Sequence, residues 1–502
     1  MINRGADLVA RTLAAAGVKH LFTLSGNHVM PVFDAALDAK LALVHVRHEA
    51  AAVHMADAWG RLTGEPGVAL VTGGPGHANA VAALYTALAA QSPLILISGH
   101  APLDELGRGA FQEMDQAAIA APLAKASWVV RSAAELGTDL VKAWRTACAG
   151  IPGPVHVSIP NDVLDAAVNT AVPGADAFAL AGSPPRRDAA LDAALEALAS
   201  GERPLIVAGP AAMREGLPAI EEATGIPAIG MESPRGVNDP ALGRLAEVLL
   251  QADTALLLGK PLDFTLRFGR AFSSGCRLLH APAMPGGWER LAWKKSGWLD
   301  DVRAALAWRP PQWRDVVSKE GGPLHPVELC RAVQGLLEHP QAVLVCDGGE
   351  FGQWAQACLA APRRLINGPA GSIGSALPFA GAAKLAFPAA PVVAVLGDGT
   401  FGFHVAEIDT AVRCGLDYLA VVGNDATWNA EYQIQVRAYG EARAQGCELL
   451  PTRYGAAATA LGAHGEDVRR PSELAPALAA AARPGRPAVI NVLIERLPAP
   501  RY

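Results

Sequence analysis

The sequence carries little charge and concentrates none of it. Asp, Glu, Lys and Arg make up 18% of the 502 residues, the formal net charge is −6, and no basic run occurs. That sets aside a nucleic-acid partner, which would need a basic patch or stripe. Aromatics are scarce at 6%, yet apolar residues reach 51%, too many for a disordered chain and enough for several cores. The seven cysteines (148, 276, 330, 346, 358, 414 and 447) are scattered, odd in number and without a C-x-x-C pair. They exclude a disulfide framework and read as reduced, mostly buried thiols of a cytoplasmic chain. Long hydrophobic runs are also missing. The most apolar stretch, 365–396, is interrupted by Pro369, Pro378, Lys384 and Pro388, so no membrane span is expected. The first residues contain no apolar signal core and include Asp7, so no secretory signal is expected.

Glycine and proline are plentiful, at 51 and 38 residues, without a three-residue period. That excludes collagen and fits a loop-rich α/β protein. At about 150 residues per domain the length suggests roughly three domains. Two Pro-rich, charged stretches, 183–187 and 308–326, read as linkers and leave domains over 1–170, 186–310 and 325–502. Within each, short β-branched or Leu-rich runs alternate with Ala-rich stretches, which predicts three doubly wound parallel-sheet α/β domains. Helices are expected at 5–16, 49–62 and 327–338. Strands are expected at 20–24, 41–47, 67–72 and 94–98, at 204–208 and 254–258, and at 342–346, 391–396, 417–422 and 488–494. The two outer segments share an order of elements.

The sharpest local feature lies in residues 391–429. A buried strand ends in Gly397-Asp398-Gly399, a helix is read from about 404 to Cys414, and a second strand ends in Gly423-Asn424-Asp425. Right-handed crossovers bring both loops to one carboxyl edge, where Asp398 and Asp425 can converge. A helix start after a Gly loop suits phosphate, and a carboxylate there would repel it. A divalent cation between acid and phosphate removes the conflict, because Mg²⁺ favours one or two carboxylates plus phosphate oxygens and water. Each loop alone reads equally well as a turn with a helix cap.

Taken together, the two loops resemble the metal-diphosphate motif of thiamine diphosphate-dependent enzymes. The resemblance implies thiamine diphosphate and Mg²⁺ as cofactors, with Asp398, Asp425 and the Thr427 carbonyl as metal ligands and Gly397, Gly399 and Thr400 beside the diphosphate. Asp425 departs from the family, where most relatives have Asn. PAGSIGSALPF (369–379) resembles the family's Gly-rich segment. There Ile373 would wedge under the cofactor and bend it, and the Gly371 carbonyl would accept from its 4′-amino group. VCDGGEFGQW (345–354) resembles the acetolactate synthase segment that touches the diphosphate, with Asp347, Gly349 and Trp354 matching and Phe351 in place of a His. Residues 42–80, with Glu49, Gly74, Pro75, Gly76 and Asn79, resemble the pyrimidine-binding domain, whose near-universal catalytic residue is that Glu. A carboxylate in the first turn of a helix is also an ordinary structural choice.

A carboxyl group hydrogen-bonded to the pyrimidine stabilises the imino tautomer that removes the thiazolium C2 proton. On this resemblance the resulting ylide would attack a 2-oxo acid, CO₂ would leave, and the enamine would be protonated or captured. Residues 1–170 would then be the pyrimidine-binding domain and 325–502 the diphosphate- and Mg²⁺-binding one. In the family the Glu and the metal loop come from different subunits, which implies a homodimer or homotetramer. Asn27, His28, Phe111, Gln112 and Trp428 are candidates for the substrate pocket, with His77 and Glu431 beside them. The middle stretch LLLGKPLDFTLRFG (256–269) is more similar to 2-hydroxyacyl-CoA lyases and oxalyl-CoA decarboxylases, which bind a CoA or ADP group there, than to the FAD-binding stretch of acetolactate synthase, so FAD is not expected. The leading expectation is an acetolactate synthase-like decarboxylase or carboligase acting on a small 2-oxo acid. A 2-hydroxyacyl-CoA lyase or oxalyl-CoA decarboxylase is the alternative within the family. No G-x-G-x-x-G opens a helix with an acid about 20 residues on, which counts against a dehydrogenase. An intact Glu49 and Asp398 count against an inactive nucleotide-binding relative.

Overall fold

The structure is a computed structural model that describes residues 4–180, 189–214, 216–281, 293, 297–482 and 485–501; the expected linker 183–187 lies outside them. The chain divides into two compact units, Met1–Gly182 with Gly381–Ala386, and Ser183–Ala380 with Phe387–Tyr502.

The first unit is built on a six-stranded sheet. Its strands are β1 (His20–Thr23), β2 (Ala42–His45), β3 (Gly67–Val71), β4 (Leu94–His100), β5 (Ala126–Val129) and β6 (Pro154–Pro160), in the order β2-β1-β3-β4-β6-β5. The second unit holds two sheets. A four-stranded one contains β7 (Pro204–Ala208), β8 (Ala228–Gly230), β9 (Thr254–Leu258) and β10 (Arg277–Ala281), ordered β10-β9-β7-β8. A six-stranded one contains β11 (Val343–Cys346), β12 (Arg363–Ile366), β13 (Val392–Gly397), β14 (Leu419–Asn424), β15 (His464–Val468) and β16 (Ala488–Leu493), ordered β12-β11-β13-β14-β16-β15. Every pairing between these strands is parallel. The three-sheet α/β architecture expected from the sequence is therefore present. The central strands are buried along their whole length, as in TALLL of β9 and GVALV of β3, because helices cover both faces of a parallel sheet.

Both six-stranded sheets reverse their strand order at the same place. β1 and β3 are neighbours with β2 on the outer side, and β11 and β13 repeat the arrangement with β12. Ligands bind at such switch points, in the crevice beyond the carboxyl ends of the strands. The loops after β1, β3, β11 and β13 are the ones that matter here.

One expected helix is corrected. The helix read from about 404 to Cys414 runs Glu407–Arg413, and a separate helix, Asp398–Phe403, stands before it where a loop was expected. Gly397 serves as the N-cap, so Asp398 is already helical. The break falls at His404, whose backbone leaves the helical region (φ −129°, ψ 33°) and whose Nδ1 lies 2.7 Å from the Gly374 carbonyl oxygen. Among the described residues no helix is long and apolar enough to cross a membrane.

Candidate active site

In the second unit, the ends of β13 and β14 are in register, with Gly397 opposite Gly423. Asp398 and Asn424 therefore leave the sheet side by side. Asn424 is buried; its amide nitrogen donates to the Thr452 carbonyl (3.0 Å) and to Asn491 Oδ1 (3.1 Å), and its oxygen accepts from the Ala426 amide (3.1 Å). Those bonds hold Ala426 in the left-handed region at φ 54°. Asp425, just before it, accepts a hydrogen bond from Asn429 Nδ2 at 2.8 Å. Asp398 is 2% exposed, and its Oδ2 is buried with no hydrogen-bond partner.

Burial pushes the Asp398 carboxyl up to about 6, against the pull of the Gly399, Thr427 and Ala426 amides. Burial, and next the charge of Asp398, push Asp425 up to about 7. Two desolvated carboxylates that repel each other call for a positive charge between them. No cluster of three His, Cys, Asp or Glu side chains suited to a metal occurs among the described residues. A cation here would complete its shell with carbonyl, water or ligand oxygens, the preference of Mg²⁺.

A cavity of about 320 Å³ opens over this pair. Eleven of the thirteen residues that the sequence nominated in this unit line it. Gly397, Asp398, Gly399 and Thr400 come from one loop, Asp425, Thr427 and Trp428 from the next, and Gly349, Gly371 and Ile373 from the remaining two. The exposed Glu431 lines it as well. Gly399 has a steric reason: a Cβ there would sit 2.6 Å from the Trp428 ring. Thr400 Oγ1 donates to the Gly397 carbonyl (2.9 Å), and Thr427 Oγ1 to that of Asp425 (3.0 Å).

Asp347 and Trp354 do not line this cavity. Asp347 is fully buried, and its carboxylate accepts from the amides of Gly348 (2.8 Å), Gly374 (3.0 Å) and Ala376 (3.1 Å). It ties the loop after β11 to the segment that carries Gly371 and Ile373. Trp354 packs on Trp313 and lines a separate surface groove. Glu350, Gln353, Asn367, Pro234 and Arg235 also line the cavity, and sequence reasoning missed all five. The last two come from the loop after β8, which the third sheet alone does not reveal.

In the first unit, Glu49 opens the helix Glu49–Thr63, capped by His48 Nδ1, which accepts from the Ala50 amide at 3.1 Å. Its side chain is buried, and Oε2 accepts from Asn79 Nδ2 at 3.0 Å. Asn79 lies on the helix Pro75–Ala89, whose N-cap is Gly74. The Gly74 amide donates to Gln116 Oε1 (2.7 Å), and Gln116 Nε2 donates to the Gly99 carbonyl (2.9 Å) and Ser158 Oγ (2.7 Å).

The buried His28, after β1, has Nδ1 3.1 Å from Oγ1 of Thr72, which follows β3. Its ring stacks on the exposed Phe111 at 6.0 Å. Gln112, at φ 58°, sits against Gly74. Asn27 is exposed beside His28. His77 stands apart, fully buried, with Nδ1 2.8 Å from Ser98 Oγ and its ring 4.6 Å from that of His156. That is a packing role. Gln116 is the residue missed here; its side-chain partners come from three places, the turn after β3, β4 and β6.

Comparison with known proteins matches the chain twice. Residues 3–119 match the N-terminal TPP binding domain of thiamine pyrophosphate enzymes, and residues 347–492 match their C-terminal TPP binding domain. The chain belongs to the thiamine pyrophosphate enzyme family. It is 35% identical to an acetolactate synthase large subunit of Mycobacterium tuberculosis, over 97% of this chain and 95% of that protein. It is 32% identical to human 2-hydroxyacyl-CoA lyase 2, over 99% and 90% respectively. A catabolic acetolactate synthase of Raoultella terrigena is 30% identical over 98% and 95%. The residues of this thiamine pyrophosphate enzyme suit the family's cofactor. An unpartnered buried carboxylate oxygen, a second acid raised by the first, and a helix start at Asp398 are what a cation-bound diphosphate would complete.

Proposed function

We propose that this thiamine diphosphate-dependent enzyme acts on small 2-oxo acids as a decarboxylase or carboligase of the acetolactate synthase kind, with Mg²⁺ as the cation that would secure the cofactor's diphosphate. The observation that carries the reading is the Asp398–Asp425 pair, a buried and a half-buried acid that repel each other at a switch-point cavity. Thiamine diphosphate supplies, when bound, the nucleophilic carbon and the electron sink for loss of CO₂. Asp398, Asp425 and the Thr427 carbonyl hold the cation. Gly349, Gly397, Gly399 and Thr400 border the diphosphate. Ile373 and the Gly371 carbonyl set the conformation and hold the amino group. Glu49 would offer its carboxyl to the pyrimidine, and Asn79, bonded to its Oε2, fixes its orientation; Gly74 shapes the loop beside them. Asn27, His28, Phe111, Gln112 and Trp428 contact the substrate. The active assembly contains at least two copies of the chain.

Calorimetry with saturating Mg²⁺ should register uptake of thiamine diphosphate, and pyruvate or benzoylformate should release CO₂. Glu49→Gln should bind the cofactor yet slow exchange of its C2 proton by about 10²–10⁴-fold, the usual span of acid–base catalysis. An unchanged exchange rate removes Glu49 from the chemistry. A second reading, cleavage of 2-hydroxyacyl-CoA, is favoured by the middle sheet, where Phe264 and Phe268 stand exposed after β9 as a surface for a flat base. Turnover confined to CoA esters, oxalyl-CoA included, would reverse the order of the two.

A further inference from the structure

Arg235 differs from the other arginines around it. Arg364 holds Glu232 with Nε and Nη2, at 3.2 and 2.8 Å, and Arg309 donates four hydrogen bonds to carbonyl groups. Arg235 makes no side-chain hydrogen bond among the described residues. Its one charged neighbour is Glu350, with Nη2 3.6 Å from Oε2, beyond hydrogen-bond reach. Arg235 is also the only Lys or Arg among the described residues that line the cavity.

Its backbone, by contrast, is fixed on every side. The Arg235 amide donates to Ser233 Oγ (3.2 Å), and its carbonyl accepts from the Asn238 amide (3.0 Å). The Glu232–Arg364 pair anchors the loop from β12. Gly236 turns the chain at φ 55°, where a Cβ would lie 2.1 Å from the Thr265 carbonyl oxygen, so only glycine fits. Next to it, Pro234 packs over Gly371. A rigid loop thus presents a guanidinium with free donors to a cavity. That is how a binding group is pre-organised for an anion, and the planar fork of Arg suits a carboxylate.

Glu350 is held in turn. It is 5% exposed, opens the helix Gly349–Cys358, and accepts from the Ala499 amide at 2.9 Å. Fixed there, it offsets part of the Arg235 charge without occupying its donors.

We propose that Arg235 is the carboxylate-recognition residue for the 2-oxo acid, and that Glu350 tempers its grip. The proposal rests on the 2-oxo acid reading above. A cation already shared with a buried carboxylate binds an incoming carboxylate but does not hold it so firmly that its departure as CO₂ is opposed. Arg235 is thus a specificity-determining residue, and Glu350 a positioning residue that acts through it.

The test is a calorimetric titration of the enzyme, loaded with thiamine diphosphate and Mg²⁺, with oxamate, an unreactive analogue of pyruvate. Pyruvamide, which lacks the carboxylate, and coenzyme A, whose anionic groups are phosphates, are titrated alongside. Arg235→Met should weaken oxamate at least 10-fold and leave pyruvamide unchanged, and Arg235→Lys should recover part of the loss. Glu350→Gln should tighten oxamate several-fold, because the competing carboxylate is gone. Wild-type affinity in Arg235→Met, or weaker oxamate binding in Glu350→Gln, overturns the proposal. So does coenzyme A binding that depends on Arg235 with no oxamate binding. Cofactor uptake is measured first in each variant. Its absence in the wild type would fail the cofactor reading, uptake with no Arg235 effect on oxamate fails only this assignment, and loss of uptake in Arg235→Met alone would place the guanidinium on the diphosphate and overturn the proposal.

Discussion

His77 has no exposed surface, and burial holds its imidazole down at about 4, against 6.5 for an ordinary histidine. Between those values the unfolded chain carries the extra proton, so its contribution to stability is whole above about 6.5 and is lost as the pH falls toward 4. His156, lowered still further by burial and by the charge of His77, acts in the same direction. Urea unfolding of the wild type should therefore lose stability more steeply from pH 7 to 4.5 than that of His77→Gln. The difference should reach up to roughly 3 kcal/mol, since each tenfold change in proton affinity is worth about 1.4 kcal/mol. Parallel curves would mean that His77 does not titrate across that range. Asp398 and Asp425 have the opposite sign. Their folded values of about 6 and about 7 lie above the 3.8 of a free carboxyl, so their contribution is present below pH 4 and is lost as the pH rises past 7. Asp425→Asn should raise the melting temperature of the cation-free chain at pH 7.5, and added Mg²⁺ should narrow its gap from wild type. A lower melting temperature in Asp425→Asn would count against the repulsion.

At the scale of elements, Gln116 clasps Gly74, Gly99 and Ser158. Gln116→Leu strips partners from all of them at once. At about 1–3 kcal/mol for each buried group left unsatisfied, it should cost several kcal/mol in chemical denaturation; a loss below about 0.5 kcal/mol would deny Gln116 this role. The sequence could not announce Gln116, because its partners are brought to it by the pairing of β4 with β6 and by the turn before a helix. The Gly-acid loops were legible for the converse reason. Turn chemistry is local, so the chain's exit from the sheet at Gly397 and at Gly74 shows with no knowledge of the fold, although the helices start at once, at Asp398 and Pro75, rather than after a longer loop. Strands divide along the same line. The fully buried interior runs, such as β3, β7 and β9, stand out as apolar blocks. Edge strands such as β12 (RRLI) and β15 (HGEDV) do not, since one flank of an edge strand meets solvent and tolerates charge. The helix Asp398–Phe403 and the break that ends it at His404 escaped because the break comes with a side-chain bond to Gly374, 30 positions away. Arg235 escaped because it reaches the cavity from the loop after β8, in a different sheet from the two acids.

For the molecule as a whole, the proposed assembly makes a prediction that no single copy can fulfil. If Glu49 of one copy serves the Asp398–Asp425 pair of another, Glu49→Gln and Asp398→Asn, each inactive alone, should recover activity when refolded together. Random pairing gives half mixed dimers, each with one intact site, or about a quarter of wild-type turnover. No recovery would mean that both residues serve the same copy's site. The shared strand order of the two outer sheets has a further consequence. Since all their strands point the same way, the chemically committed loops gather on one rim of each sheet, and the opposite rim is left with plain returns such as 16–19. Those returns are where a lineage can lengthen, shorten or recharge the surface without touching catalysis, and where a tag or a graft would do least harm.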